Sequence, residues 1–157
     1  MTKILFVCLG NICRSPMAKF IFIDLIKQKG LENDFYIDSA ATSSEEVGNG
    51  IYYNAKMKLD EKNIANNNHV ARQINIEDYK KFDYIMGMEK RNVDTIIKKI
   101  GNDNDKKVYR LLDFSGEPRD ISDPWYTRDF ERAYNDIYEG CESLLNHILN
   151  SNNVKKN

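Results

Sequence analysis

Hydrophobic residues along the chain alternate between short apolar runs and longer stretches with helical spacing. The apolar runs predict four strands, at residues 4–7, 35–37, 82–86 and 108–112. Apolar residues at helical spacing predict intervening helices over residues 18–26, 51–64 and 93–100. The same spacing holds for about five turns from residue 130 and predicts a long final helix.

Strands that alternate with helices predict a parallel sheet with helices on both faces. We therefore predict the α/β class, as a single three-layer domain with a central four-stranded parallel sheet over residues 1–150. Residues 151–157 are polar and are predicted to be a frayed tail. Ligands of such folds bind beyond the carboxyl ends of the strands. Cys8, Ser39 and the segment that leads to Asp123 are expected to meet at that edge.

Composition and charge exclude several classes of partner. The 157 residues include 23 basic and 24 acidic side chains, so no basic excess suggests a nucleic-acid partner. No apolar run approaches the ~18 residues that a membrane span needs, and no signal-peptide pattern opens the chain. Three cysteines are too few for a disulfide scaffold. We expect a monomer in the reducing cytoplasm, without a membrane partner.

The stretch from Val7 to Pro16 joins a strand end, a tight loop and a helix start. Ser15 before Pro16 has the pattern of an N-cap residue followed by proline at the first helical position. A loop at this place directs its backbone N–H groups and the positive end of the helix dipole at one point. Cys8 opens the loop and Arg14 closes it, so a thiol and a guanidinium would flank a bound anion.

The residue types in this loop suit attack on a phosphate ester. A helix N-terminus and a nearby cation favour the thiolate, which is the nucleophilic form of cysteine, and Cys8 would have both. Arg14 offers a planar fork that binds two phosphate oxygens at once, and Ser15 offers a hydroxyl to the thiolate. Gly10 permits the tight ring that an anion site needs, and Asn11 can bond across the loop. The pattern fits formation of a cysteinyl-phosphate.

Such a reaction also needs an acid for the leaving oxygen and a base for the second step. Asp123 lies in a loop rich in Gly, Pro, Asp and Ser, and Pro124 restricts the backbone beside it. Trp125 and Tyr126 can line a slot for a flat ring. The same carboxyl group would protonate a leaving phenol and then take a proton from water.

Together these motifs resemble the low-molecular-weight protein tyrosine phosphatases nearly from end to end. The motifs that carry the resemblance are Cys8-Leu9-Gly10-Asn11-Ile12-Cys13-Arg14-Ser15-Pro16, Ile37-Asp38-Ser39-Ala40, His69-Val70-Ala71-Arg72-Gln73-Ile74, Phe82-Asp83-Tyr84-Ile85-Met86-Gly87-Met88 and Asp123-Pro124-Trp125-Tyr126. The resemblance implies an enzyme that acts on a phosphotyrosine-containing protein or a small aryl phosphate. It further implies inorganic phosphate as a product, and neither a metal nor another cofactor.

The resemblance also implies a role for each residue of the site. Cys8 matches the nucleophile, Arg14 the phosphate-binding cation and Asp123 the general acid and base. Ser39 and His69 match a buried network, shared with Asn11, that supports the loop. The residues expected to bind substrate are Leu9, Gly10, Asn11, Ile12, Cys13, Ser15, Trp125 and Tyr126.

Two features of the chain bear on regulation and specificity. Cys13 matches a second cysteine that, in the family, traps an oxidised nucleophile as a reversible disulfide. Glu45 aligns with a position where relatives often have an aromatic residue at the mouth of the pocket, and Glu46 follows it. One side of the slot is therefore expected to be acidic and to disfavour acidic peptides.

Three alternatives remain open from the sequence. An arsenate reductase on the same scaffold would need further cysteines to relay a disulfide, but only Cys13 is close, because Cys141 lies on the apolar stripe of the last helix. A phosphoarginine phosphatase is the second alternative. Related enzymes of that kind carry a smaller polar residue at the position of Ile12, so Ile12 favours phosphotyrosine as the substrate. A catalytically silent module that binds phosphate is disfavoured by the complete set of Cys8, Arg14, Ser15 and Asp123.

Overall fold

A computed structural model describes residues 1–156, with side chains described as far as Ser151. Four strands form one sheet in the order β2-β1-β3-β4, and each neighbouring pair is parallel. The predicted α/β class and four-stranded parallel sheet are confirmed. The strands are β1 (Thr2–Cys8), β2 (Phe35–Ala41), β3 (Tyr84–Gly87) and β4 (Val108–Arg110).

Helices cover both faces of the sheet. Side chains alternate along β1, so Ile4 and Phe6 join the core under α1 and α6, whereas Leu5 and Val7 join the core that includes Ile96 of α4. A strand buried on both faces explains the unbroken apolar run near the N-terminus. The helices are α1 (Arg14–Gln28), α2 (Tyr53–Glu61), α3 (Ile76–Lys81), α4 (Lys90–Ile100), α5 (Pro124–Thr127) and α6 (Phe130–Lys156).

Several element boundaries differ from those that the apolar pattern predicts. The helix α3 was not predicted, because its six residues are too few for a periodic pattern; a capping box between Asn75 and Asp78 starts it. The short helix α5 was not predicted either, and it begins at Pro124, directly after the predicted loop that carries Asp123. Strand β4 ends at Arg110, since a 3-10 turn over Leu111–Phe114 follows and buries Leu111 and Leu112.

The carboxyl ends of β1, β2 and β3 bring distant segments together. Backbone N–H groups after β2 bond to the end of β1: Thr42 donates to the carbonyl of Cys8 and Ser43 to that of Leu9. Ile121 donates to the carbonyl of Met88, directly after β3, and so places the segment that leads to Asp123 at the same edge. The expected meeting of these segments is confirmed.

Two further points concern a possible membrane-spanning helix and the C-terminal tail. Within residues 1–156, no helix combines the length and the apolar character that a membrane crossing requires. The predicted tail over residues 151–157 lies almost wholly outside the described side chains and stays a prediction.

Candidate active site

The loop of residues 8–15, called the Cys8 loop below, surrounds the sulfur of Cys8 with hydrogen-bond donors. The backbone N–H groups of Asn11 and Ser15 donate to Sγ, at 3.3 and 3.4 Å. The hydroxyl of Ser15 lies 3.0 Å from the same sulfur. The N-terminus of α1, which begins at Arg14, adds the positive end of its dipole. This arrangement stabilises negative charge on the sulfur.

The prediction of Ser15 as the N-cap residue of α1 is wrong. The helix begins at Arg14, and Cys13 is its N-cap without a side-chain cap bond. The Ser15 hydroxyl accepts a hydrogen bond from Nδ2 of Asn11 at 2.7 Å, so its own hydrogen is available to the sulfur of Cys8. The Ser15 hydroxyl, which could have capped the helix, contacts the sulfur of Cys8 instead.

Asn11 holds the Cys8 loop in shape from behind. Its backbone has φ of 61°, in the left-handed region, and its side chain is fully buried. Nδ2 donates to Ser15 and, at 3.0 Å, to the hydroxyl of Ser39, while Oδ1 accepts from the backbone N–H of Arg72 at 3.1 Å. The carbonyl oxygen of Asn11 lies 2.7 Å from Nε2 of His69. The structure therefore brings Asn11, Ser39 and His69 together as the sequence predicts.

Arg14 is buried, with 1% of its surface exposed, although it carries a charge. A buried cation requires partners. Its Nη1 donates to the carbonyl of Ile121 at 2.8 Å and lies 3.4 Å from Oε2 of Glu89. Its Nη2 lies 3.4 Å from Oδ2 of Asp123. These contacts orient the guanidinium before any phosphate is bound.

Asp123 begins α5 as its N-cap residue. One carboxylate oxygen, Oδ1, accepts from the backbone N–H of Trp125 at 3.0 Å, and the other faces Arg14. The side chain is 20% exposed, so it contacts both protein and solvent. The segment of residues 123–128 is called the acid turn below.

Nine of the eleven residues predicted to be catalytic or to bind substrate line one open cavity of about 180 Å³. Asn11 and Ser15 are absent from its lining, because both are fully buried behind the loop; the structure places them as supports, although the sequence predicted them to bind substrate. The lining residues are Cys8, Leu9, Gly10, Ile12, Cys13, Arg14, Ser43, Glu45, Glu46, Asp123, Trp125 and Tyr126.

The mouth of this cavity combines apolar and acidic side chains. Trp125 and Tyr126 are 46% and 75% exposed. Glu46 accepts a hydrogen bond from Nδ2 of Asn49 at 2.7 Å, and Glu45 is exposed. Within the described part of the chain, neither glutamate has a lysine or arginine partner. The buried base of the cavity thus carries the positive charge of Arg14, whereas the carboxylates of Glu45 and Glu46 lie at its rim.

The other two cysteines are buried thiols. The pKa of Cys13 is raised from 9.0 to about 12, first by burial and then by the neighbouring Cys8 and Asp123, while Arg14 and Arg128 act in the opposite direction. Cys141 lies on α6, where burial also raises its pKa and its thiol donates to the carbonyl of Ala18 at 3.6 Å. Cys8 is therefore the cysteine whose sulfur faces both the cavity and the donors of the loop.

Three residues near the site were not predicted from the sequence. Glu89 contacts Arg14, and its place two residues after β3, at the carboxyl edge of the sheet, was the available signal. Ser43 lines the cavity, and its buried hydroxyl has no hydrogen-bond partner among the described residues. Tyr52 contacts both the Cys8 loop and Trp125; no local pattern marks it.

Comparison with known proteins places the chain in a family. The family model described as low molecular weight phosphotyrosine protein phosphatase matches residues 3–157. The low molecular weight protein-tyrosine-phosphatase YfkJ of Bacillus subtilis is 40% identical over 150 residues, which cover 94% of this chain and 96% of that protein. A low molecular weight phosphotyrosine protein phosphatase of Gallus gallus is 38% identical over 148 residues, covering 91% and 93%.

Solved structures share the fold. The crystal structure of YfkJ superposes with a TM-score of 0.93 at 39% identity, over 96% of each chain. A drosophila arginine phosphatase superposes with a TM-score of 0.85 at 32% identity, over 94% of this chain and 98% of that one. The same architecture therefore occurs in proteins named for different phosphorylated residues.

Proposed function

Since the chain belongs to the low molecular weight phosphotyrosine protein phosphatase family, we propose that it hydrolyses phosphotyrosine through a cysteinyl-phosphate on Cys8. Membership makes it a hydrolase; the residue-level mechanism is the proposal. The observation that supports it most directly is that Cys8, Arg14 and Asp123 line one cavity. These residues supply a nucleophile, a cation and a carboxyl group at one place.

In the first step the sulfur of Cys8 attacks phosphorus. The Arg14 fork binds two oxygens of the phosphate group, and the N–H groups of the Cys8 loop stabilise the developing charge. The S–P bond forms as the P–O bond to the phenol breaks. Asp123, protonated at this stage, gives its proton to the leaving oxygen.

In the second step water releases the phosphate. Asp123, now a carboxylate, accepts a proton from the water molecule that attacks phosphorus. The S–P bond breaks, inorganic phosphate leaves and the Cys8 thiolate is restored. The hydroxyl of Ser15, 3.0 Å from the sulfur, stabilises it as a leaving group.

The shape of the cavity favours an aromatic phosphate. Leu9, Trp125 and Tyr126 are exposed apolar residues of its lining, and Ile12 also lines it. An aromatic ring gains from contact with such surface, whereas a guanidinium group would leave its N–H donors facing apolar atoms there.

Phosphoarginine is nevertheless the second candidate substrate, because the drosophila arginine phosphatase shares the fold and two acidic residues lie at this rim. Arsenate reduction has less support. It needs a relay of accessible thiols, but Cys13 is a buried thiol and Cys141 is packed in the core.

A panel of phosphopeptides tests the assignment. We expect turnover of phosphotyrosine peptides well above that of phosphoserine and phosphoarginine peptides, and no turnover by Cys8→Ser, which should still bind an oxyanion such as vanadate. Asp123→Ala should slow phenyl phosphate much more than dinitrophenyl phosphate, whose leaving group needs no proton. Faster turnover of phosphoarginine would replace the substrate. Equal slowing of the two esters would remove Asp123 from the acid role.

A further inference from the structure

Tyr52 connects the Cys8 loop to the acid turn. Its backbone N–H donates to the carbonyl of Ile12 at 2.8 Å, inside the loop. Its ring meets the ring of Trp125 edge-on, with centroids 4.9 Å apart. Its hydroxyl accepts a hydrogen bond from Nη2 of Arg128 at 2.9 Å. One residue therefore contacts the loop of the nucleophile and two points of the turn that carries Asp123.

Arg128 is held in a backbone conformation that residues other than glycine disfavour. Its φ is 61° and its ψ is 14°, in the left-handed region, where it ends α5. The guanidinium lies 5.5 Å from the ring centre of Tyr52 and 5.6 Å from that of Phe130. Such a conformation persists where surrounding contacts determine it. Here the contacts with Tyr52 and Phe130 fix the end of the acid turn.

The contact between Asp123 and Arg14 is not available to hold the acid turn during the reaction. In the proposed function the same guanidinium turns its N–H groups toward phosphate oxygens, so its 3.4 Å contact with Asp123 competes with substrate. The contacts through Tyr52 involve neither of these side chains. They therefore do not compete with phosphate for the guanidinium of Arg14.

We propose that Tyr52 and Arg128 are positioning residues, which hold the acid turn against the Cys8 loop so that Asp123 reaches the leaving oxygen. This inference rests on the proposed function. Neither residue lines the cavity, so neither contacts the reacting atoms. A small displacement of a catalytic group costs a large part of its effect, so a loosened turn weakens protonation of the leaving group more than attack by Cys8.

Two substitutions separate this role from a purely structural one. Arg128→Gly removes the guanidinium and places glycine where the left-handed conformation carries no steric cost, so the fold is preserved. Tyr52→Phe removes the hydroxyl and keeps the ring. Tyr53→Phe, 68% exposed on α2, and Arg132→Gln, with a side chain 62% exposed on α6, are matched controls.

The measurement compares kcat/KM for phenyl phosphate and dinitrophenyl phosphate. Arg128→Gly and Tyr52→Phe are each expected to lose about tenfold on phenyl phosphate and less than about twofold on dinitrophenyl phosphate, which needs no acid. The double variant should lose no more than Arg128→Gly alone, because that substitution already removes the hydrogen bond that Tyr52→Phe removes. The controls should match the wild type on both esters.

Equal losses on the two esters, or an unchanged rate on phenyl phosphate, would overturn the positioning role. Additive losses in the double variant would also contradict it, since they would mean that the two residues act independently. A wild-type protein that hydrolyses neither ester would instead overturn the proposed function, and the positioning role with it. The wild-type measurement therefore distinguishes the two failures.

Discussion

Nε2 of His69 lies 2.7 Å from the carbonyl oxygen of Asn11, so this nitrogen carries the proton and donates. Burial lowers the pKa of His69 below its ordinary value of 6.5, and Lys19 lowers it further, while the bond to Asn11 and the charge of Asp38 act in the opposite direction. The ring that supports the Cys8 loop is therefore neutral in the folded protein.

The stability of the protein is expected to fall as the pH decreases below about 6.5. In that range His69 binds a proton more readily in the unfolded chain than in the folded one, where its pKa is lower, so the free energy of unfolding decreases. Urea unfolding between about pH 7.5 and 5 measures the slope, which should be shallower in His69→Asn. His147→Asn, at the exposed second histidine, is the control. A slope unchanged by His69→Asn would contradict this account.

Replacing Asn11 should lower the free energy of unfolding far more than replacing an exposed asparagine with the same backbone conformation. Asn11 and Asn63 both have φ of 61°, but Asn63 is exposed. Alanine in the left-handed region costs about 1 kcal/mol at either position. Asn11→Ala also loses buried hydrogen bonds to Ser15, Ser39 and Arg72, a further loss of about 2 kcal/mol or more. Urea unfolding compares the two variants, and equal losses would show that the network contributes nothing.

The sequence predicted the sheet because each strand overlaps a short apolar run with polar residues beside it. The Cys8 loop was also predictable, since its residues are adjacent along the chain and their chemistry is local. The start of α1 was not, because the hydroxyl of Ser15 has two possible uses and only the position of Asn11 decides between them.

Contacts between individual side chains of distant segments lay beyond the sequence. The predicted topology places Glu89 and Asp123 at the same edge of the sheet as the Cys8 loop, but no local pattern indicates that both contact the guanidinium of Arg14. The sequence around Tyr52 is that of an ordinary helix start, and only the tertiary structure brings the ring of Tyr52 to Trp125. The residues that carry the chemistry of the site could thus be predicted from local sequence, whereas the residues that support them could not.

Alkylation should distinguish the two cysteines of the loop. With a pKa of about 12, Cys13 is almost entirely a thiol near pH 8, and the thiolate is the reactive form. Iodoacetamide should therefore label Cys8 first, as seen by mass spectrometry of the peptides. Cys13→Ser should keep the rapid reaction and Cys8→Ser should lose it. Rapid labelling of Cys13 in the folded protein would show that it is not the buried thiol described.

The acidic rim should select against acidic substrates. Replacing Glu45 and Glu46 together by glutamine should raise kcat/KM by about two- to fivefold for phosphotyrosine peptides with acidic neighbours, and lower it for peptides with lysine neighbours. Added salt should reduce both effects. Glu77→Gln, exposed on α3, is the control. Identical changes for acidic and basic peptides would mean that the rim charge does not act on substrate.

The central claim is the covalent intermediate on Cys8, and trapping it is the most direct test. In Asp123→Ala, dinitrophenyl phosphate should still transfer its phosphoryl group, because its leaving group needs no acid, whereas hydrolysis should be slow without the base. After rapid acid quenching, mass spectrometry should find one phosphoryl group on the peptide that contains Cys8, and none when Cys8→Ser is added. A phosphoryl group on another residue, such as His69, or turnover without any phosphorylated protein, would contradict the mechanism.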